Sequence, residues 1–333
     1  MSDWSEACMI AWFLLSGAIS LLGNLVVLLA TTVFRAIKLD KVAVVLITNL
    51  AVADLGMSLT AILPSVGSTV ARRWIYGDLL CSVSNYLESV LAAASIGLTC
   101  ALSVTKLTSL LFPFKARTRT KRTGYLIAGG IWSLAVLPIT PDIFLPRETS
   151  FNEMIFRCDT SEVKEVDMWL GPLKSTILCF IPFVIVTVCT IWLIFFVHKV
   201  RGIQKQSVVT AILISAVFLV SFLPVGILML LGNRFNSNNS MHLILLKLAL
   251  CSPFMHFMAN PLIYLVSITS FRNFFACRSP KLRTIKLKKQ CSVTYGLSHT
   301  RGVSEGENTL ERDVVRLGSL VTLQRSQSVI TDS

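Results

Sequence analysis

The chain has 333 residues, 53% of them hydrophobic and only 15% charged, with a mean hydropathy of +0.69. That excludes an ordinary soluble domain and leaves room for one bundle of long helices plus a tail. A net charge of +13 would suit nucleic acid if it formed a continuous face, but it collects in short segments between apolar runs, the pattern of loops on one side of a membrane.

Taken in chain order, residues 1–8 form a brief outer segment with Asp3 and Glu6, too short for a folded ligand-binding domain. The apolar run 9–34 is too long for a signal-peptide core and reads as an uncleaved span. A hydrocarbon core about 30 Å thick needs roughly 20 apolar helical residues. Further runs that meet this need lie near 42–70, 79–111, 123–141, 169–198, 206–231 and 242–268. Backbone polar groups inside lipid must be satisfied within the segment, so these spans are helices. The expected fold is an all-α membrane protein, a seven-transmembrane helix bundle over 9–270.

The loops orient it. Arg35, Lys38 and Lys41 follow the first span; Lys115, Arg117, Arg119, Lys121 and Arg122 follow the third; Lys199, Arg201 and Lys205 follow the fifth. By contrast Asp142, Glu148, Glu153, Asp159, Glu162, Glu165 and Asp167 crowd the segment between the fourth and fifth. Lys and Arg in short loops mark the cytoplasmic side, so the N-terminus is expected outside and the tail inside. The basic side suits anionic inner-leaflet lipid rather than nucleic acid.

Of nine cysteines, Cys100, Cys179, Cys189 and Cys251 lie in spans and read as small buried hydrophobes. Cys8 and Cys291 have no evident partner. Cys81 opens the third span after Trp74-Ile75-Tyr76-Gly77, and Cys158 lies in the acidic outer loop, where disulfides persist. A Cys81–Cys158 bridge would pin that loop over the mouth of the bundle. Asn238-Asn239-Ser240 fits a glycosylation acceptor at Asn238. Beyond the seventh span, 271–279 carries apolar residues at i, i+3 and i+4, which suits a short amphipathic helix on the inner leaflet. Cys277 within it is either a palmitoylation site or a plain thiol, Pro280 ends it, and 280–333 reads as a disordered tail. No catalytic constellation is evident: His198, His242, His256 and His299 share no ligand spacing with the cysteines, and there is no phosphate-cradling Gly loop. The chain is read as a non-enzyme without a cofactor.

Each span carries its own motif: Gly23-Asn24; Asn49-Leu50-Ala51-Val52-Ala53-Asp54; Cys81; Trp132; Pro182; Phe218-Leu219-Val220-Ser221-Phe222-Leu223-Pro224; and Asn260-Pro261-x-x-Tyr264 followed by Phe271. In this order and spacing the chain, over about residues 10–277, resembles the rhodopsin-like (class A) G-protein-coupled receptors. The resemblance implies a receptor that converts extracellular ligand binding into a movement of the sixth helix sensed by a heterotrimeric G protein. Arrestin and a receptor kinase are implied at the tail, at Ser326 or Ser328. Pro182, Pro224 and Pro261 would supply hinges, and Phe218, Pro224, Pro261, Tyr264 and Lys106 the activation switch.

Further site residues follow from the resemblance. Asn24, Asp54, Ser95 and Asn260 match the set that surrounds a sodium ion in this family, and His256, one turn before Asn260, shares their face. The alternative is a protonated Asp54 in a water network. Ser84, Asn85, Glu88 and Ala92 form an inward stripe below Cys81, with Phe222 at the pocket floor. Glu88 stands where amine receptors of the family carry an Asp, which favours a small cationic ligand or short peptide. The rival reading is an internal Glu88–Lys247 salt bridge. Phe254 stands where opsins attach retinal, so a light sensor is not implied. Thr105-Lys106-Leu107 replaces the usual Asp-Arg-Tyr, Gln204 offers no acid on helix six, and Thr190 replaces a Tyr. An ionic latch between helices three and six is therefore expected to be absent, which either raises basal signalling or blunts coupling. Other classes weighed are a transporter or ion pathway around Asp54, which lacks paired interrupted half-repeats, and a non-signalling scaffold or decoy.

Overall fold

The computed structural model describes residues 3–33, 39–144, 148–152, 157–160, 164–231 and 240–276. The chain divides into two units, 1–275 and 276–333, and the second is described only at Ala276. Arg35, Lys38, Asn238, Cys277 and the tail 280–333, with Ser326 and Ser328, lie outside the described residues.

The helices are α1 (Asp3–Thr32), α2 (Lys41–Ala71), α3 (Gly77–Leu111), the short α4 (Pro113–Thr118) and α5 (Lys121–Ile139). They continue as α6 (Leu170–Val197), α7 (Gly202–Leu231), α8 (Ser240–Cys251), α9 (Pro253–Ser267) and α10 (Thr269–Ala276). Between α5 and α6 an antiparallel hairpin pairs β1 (Thr149–Asn152) with β2 (Arg157–Thr160), setting Phe151 opposite Cys158 and Asn152 opposite Arg157. Among the described residues six helices are long and apolar enough to cross a membrane, and α8 with α9 forms a seventh span bent by 41°. The seven-helix bundle expected from the apolar runs is the observed fold.

Its burial pattern is that of a lipid-embedded protein. Leu22, Leu126, Leu137, Phe195, Val220 and Val266 face outward, while Ser20, Asn24, Asp54, Ser58, Ser95, Thr99 and Asn260 are fully enclosed. α3 lies at the centre, packed against α2, α5, α6 and α7. Small residues let the helices approach: a Cβ on Gly23 would sit 2.6 Å from the Pro261 ring, so α1 and α9 meet there only because position 23 is glycine. Two of the span motifs meet directly, with Trp132 Nε1 donating to Asn49 Oδ1 at 3.1 Å and tying α5 to α2.

Helix ends and breaks follow local chemistry. Asp40 caps α2, its Oδ1 accepting from the Ala43 amide at 2.8 Å. The link from α2 to α3 turns on Arg72 (φ 51°) and Gly77 (φ 80°). α2 and α6 each widen into one π turn, Ser58–Ile62 and Thr176–Phe180, just ahead of Pro64 and Pro182, whose missing N–H interrupts the α ladder. Of the three motif prolines, Pro182 thus follows a π turn, whereas Pro224 and Pro261 lie inside continuous helices. The sharp bend of the seventh span falls not at Pro261 but at Ser252, directly before Pro253. There the Ser252 hydroxyl meets both Ala249 O and Ser221 O at 2.7 Å, fastening the break to α7.

Candidate functional site

The polar and charged groups of the bundle fall into three levels along α3. At the hairpin end a disulfide joins Cys81 to Cys158 with Cα atoms 5.7 Å apart, as the sequence suggested. It ties β2 to the start of α3. Asn85 Nδ2 reinforces the tie by donating to Cys81 O (3.2 Å) and Cys158 O (3.4 Å), and Thr149 Oγ1 donates to Asp78 Oδ1 at 2.6 Å. Ser84 is buried and bonds back to Cys81 O at 3.0 Å, and Ala92 is half-buried on the same helix.

Glu88 is where the structure departs from the sequence reading. Its ion pair is with Arg157 of β2, in place of the Lys247 pair; Lys247 is half-buried on α8. Both partners are enclosed, with side-chain exposures of 16% for Arg157 and 13% for Glu88. The guanidinium also lies 5.8 Å from the centre of the Phe254 ring on α9, a cation–π contact. Burial pulls the Arg157 guanidinium down to about 10, with Asp159 opposing, so it is a cation at neutral pH. Beneath this pair, Phe13, Phe218, Phe222, Phe254 and Phe257 form an aromatic cluster, and Phe151 of β1 packs onto it.

In the middle, Asp54 is fully buried, its Oδ1 accepting from Ser95 Oγ (2.9 Å) and its Oδ2 from Asn260 Nδ2 (2.6 Å). Asn24 Nδ2 reaches Ser20 O and Phe257 O at 2.9 and 3.1 Å, while Ser58 and Ser20 hydroxyls meet at 2.7 Å. A carboxylate with only neutral donors around it needs a proton or a cation to balance it. The buried amide oxygens of Asn24 and Asn260 have no hydrogen-bond partner. Orphaned oxygens beside a carboxylate and a hydroxyl suit a hard cation, which takes oxygen ligands. His256 is not among the Asp54 donors. Its Nε2 lies 3.4 Å from Thr99 Oγ1, its Nδ1 is unpartnered, and its ring packs edge-on against Phe218 and Phe222. The Tyr264 hydroxyl is likewise buried without a partner.

At the opposite, basic end Lys106 is buried and its Nζ pairs with Asp40 Oδ2. The sequence reading supplied no acid for Lys106; it comes from the cap of α2. Asp40 therefore uses one oxygen for the helix cap and the other for the ion pair. Burial works to raise its carboxyl, but the Lys106 ammonium and the hydrogen bonds outweigh it and hold it below the ordinary value. Arg119 crosses beneath, donating to Thr105 O (3.3 Å) and Thr108 Oγ1 (2.9 Å). Among the described residues, the side-chain contacts of α7 at this end are neutral: Ser103 and Ser215 hydroxyls at 2.7 Å, Gln206 Nε2 to Thr269 Oγ1 at 2.8 Å, and Thr210 Oγ1 to Ser267 Oγ at 2.8 Å. Gln204 is exposed, and Thr190 bonds its own helix at Val186 O.

A family model described as "7 transmembrane receptor (rhodopsin family)" matches residues 23–264. Neuropeptide FF receptor 2 of Mus musculus is 25% identical over 311 residues, covering 81% of this chain and 72% of that receptor. Apelin receptor A of Danio rerio is 27% identical over 304 residues, 83% of each. Type-1 angiotensin II receptor of Homo sapiens is 28% identical over 195 residues, 57% of this chain and 54% of that receptor.

Proposed function

The chain belongs to the rhodopsin family of seven-transmembrane receptors, and from that membership we propose that it is a plasma-membrane receptor for an extracellular peptide, coupled to a heterotrimeric G protein. The relatives named as receptors for neuropeptide FF, apelin and angiotensin II support a peptide over an amine. The observation that carries the choice is the Glu88–Arg157 pair, because the acid that would receive a small amine already has an internal cation. The ligand site lies under the hairpin, between Ser84, Asn85, Glu88 and Ala92 on α3, Phe222 on α7 and Lys247 on α8.

Orientation follows the charge: hairpin outside, basic end in the cytoplasm. Asp54, Ser95, Asn24 and Asn260 would hold a sodium ion, which supplies the charge that balances the carboxylate. Phe218 and Pro224 join this level to the pocket above it, and Pro261 and Tyr264 join it to the basic end, where outward movement of α7 breaks its neutral contacts and opens a surface for the G protein. Lys106, in place of the family's Arg, is the atypical element there. Held by Asp40, it keeps its charge away from that surface until activation. Arrestin and a receptor kinase would act on the tail, lipid would bind α10 with Cys277 palmitoylated, and Asn238 would carry a glycan.

The test is a peptide library applied to cells that express the receptor with sensors for each class of G protein. A saturable response to a peptide, lost in Phe222→Ala at equal surface expression, is expected. Response to amines alone overturns the peptide reading. Full surface expression without response to any ligand, in wild type and in Lys106→Arg alike, overturns coupling and leaves the decoy.

A further inference from the structure

We propose that Arg157 is a tethered cationic ligand for Glu88: the hairpin's own guanidinium fills the acid site on α3 and stabilises the closed bundle, so an activating peptide must displace it. This rests on the receptor reading above and adds what occupies its site.

The seat is built from independent contacts. Arg157 neighbours Cys158, whose disulfide fixes β2 to the helix that bears Glu88. Its guanidinium joins the Glu88 carboxylate on one side and the Phe254 ring on the other, so it bridges α3 and α9. Phe151, one register step away in β1, anchors the hairpin in the aromatic cluster with Phe222. Neither charge is left for solvent to satisfy, and a carboxylate stripped of such a partner in a closed site is strongly disfavoured. An ionised Glu88 therefore needs a cation in this site, and the chain provides one.

Tethering sets which ligands can compete. A group held by a short covalent link acts at an effective concentration in the millimolar range or above. A free amine or guanidine that replaces Arg157 exchanges one ion pair for another and gains little. A peptide can bring a cationic side chain and also make contacts across the hairpin and α8, so its surplus binding drives the exchange. The released Arg157 then faces water from a loop outside the membrane.

The link to activation is the state in which the seat is filled. With Arg157 on Glu88, α7 is fastened to α3 through Ser103–Ser215 and to α9 and α10 through Thr210–Ser267 and Gln206–Thr269. A contact present in the closed state and lost on opening biases the equilibrium toward closure.

Spin labels at Arg117 and Gln204, both exposed at the basic end, report opening in full-length receptor reconstituted in nanodiscs, with Cys8, Cys277 and Cys291 changed to serine. Arg157→Gln and Glu88→Gln are each expected to raise the long-distance population on the order of tenfold without ligand. The swapped pair Glu88→Arg with Arg157→Glu restores the short distance. Agmatine at millimolar concentration returns Arg157→Ala to the closed distribution but has no effect on Glu88→Gln with Arg157→Ala. That rescue uses one folded sample with and without the probe, so it stands even where a single variant is unstable. Distributions unchanged in both single variants, or no agmatine effect on Arg157→Ala, overturn the proposal. Opening without G-protein activation in a parallel nucleotide-exchange assay retains the tethered cation and overturns the coupling reading instead.

Discussion

Both ends of α3 carry a charge pair, and the two pairs are built on opposite plans. At the hairpin end Glu88 and Arg157 are almost equally enclosed, at 13% and 16%, and the neighbouring residue of β2 is covalently bound to α3. At the basic end Lys106 is 6% exposed and Asp40 48%, and the acid is held by a helix-cap hydrogen bond rather than by a covalent link. The difference teaches which end is made to stay and which to release. A symmetric, disulfide-backed pair loses heavily whichever partner leaves. In the asymmetric pair, water receives Asp40 readily, while Lys106 depends on it.

The largest effect tests the covalent part of that contrast. The Cys81–Cys158 bridge closes a sequence separation of 77 residues, for which loop entropy gives a stabilisation of about 4 kcal/mol. Cys81→Ser with Cys158→Ser is expected to lower the Tm of detergent-purified receptor by several degrees and to reduce surface expression sharply. A Tm within a degree of wild type would mean that the hairpin holds its place without the bond, and the two ends would then differ only in exposure.

The asymmetry itself is tested by Asp40→Asn against Lys106→Gln. Asn is as good an N-cap as Asp, so Asp40→Asn removes only the charge. It leaves a buried ammonium unpaired, at a cost of about 2 kcal/mol once the exposure of Asp40 is discounted. Lys106→Gln leaves Asp40 facing water and should cost under about 1 kcal/mol. Chemical unfolding of both variants decides the point, and equal losses would abolish the contrast. The pH dependence carries the same signature. Asp40 is held below its ordinary value of 3.8, so its contribution is complete above about pH 4 and disappears as the pH falls through the lowered value. The gap between wild type and Asp40→Asn should stay constant from pH 5 to 8 and close only in stronger acid.

The central level behaves as a control for both ends. If Asp54 holds sodium, replacing choline chloride by sodium chloride at about ten times the dissociation constant stabilises the receptor by about 1.4 kcal/mol. Asp54→Asn should abolish that gain, while Asp40→Asn and Arg157→Gln should keep it. A sodium effect that survives in Asp54→Asn would assign the ion elsewhere and return Asp54 to the protonated alternative.

These levels differ in how far the sequence reveals them. The spans are legible because each is a run of apolar residues longer than a bilayer requires, and the observed ends differ by a few residues. Asp54, Ser95 and Asn260 are legible through their motif spacing, and Ser95 and Asn260 each donate to Asp54. Arg157 is not legible. Which residue of a polar loop points inward depends on the hairpin register, here Asn152 opposite Arg157, and on the disulfide that lays β2 across α3. Lys247 is the partner that the sequence offers Glu88, because helix positions can be projected from sequence and loop positions cannot. Asp40 gave half a signal: an acid just before an apolar run is an N-cap candidate, but its second oxygen meets Lys106 only after α2 and α3 have packed. The bend at Ser252 has its signal in Pro253, whereas the motif proline of this span, Pro261, lies inside a continuous helix.

The smallest effect concerns the neutral bond between α3 and α7, the two helices between which an ionic latch is expected to be absent. The Ser103 hydroxyl lies 3.0 Å from Thr99 O and 2.7 Å from Ser215 Oγ. It has one proton, which goes to the carbonyl, so Ser215 is the donor in the contact between α3 and α7. Ser103→Ala removes the acceptor and leaves the Ser215 proton stranded in a fully buried place, at about 1 kcal/mol. Ser215→Ala removes the donor but leaves the Ser103–Thr99 bond intact, so its cost should be about half of that. The double variant strands nothing further and should cost no more than Ser103→Ala alone. All three should raise agonist-free opening by less than Asp40→Asn does, because a neutral bond between hydroxyls gives a weaker bias than a buried ammonium robbed of its acid. A larger loss for Ser215→Ala than for Ser103→Ala in a double-mutant cycle would reverse the donor assignment, and a larger effect than Asp40→Asn would move the release point from the charged pair to α7 itself.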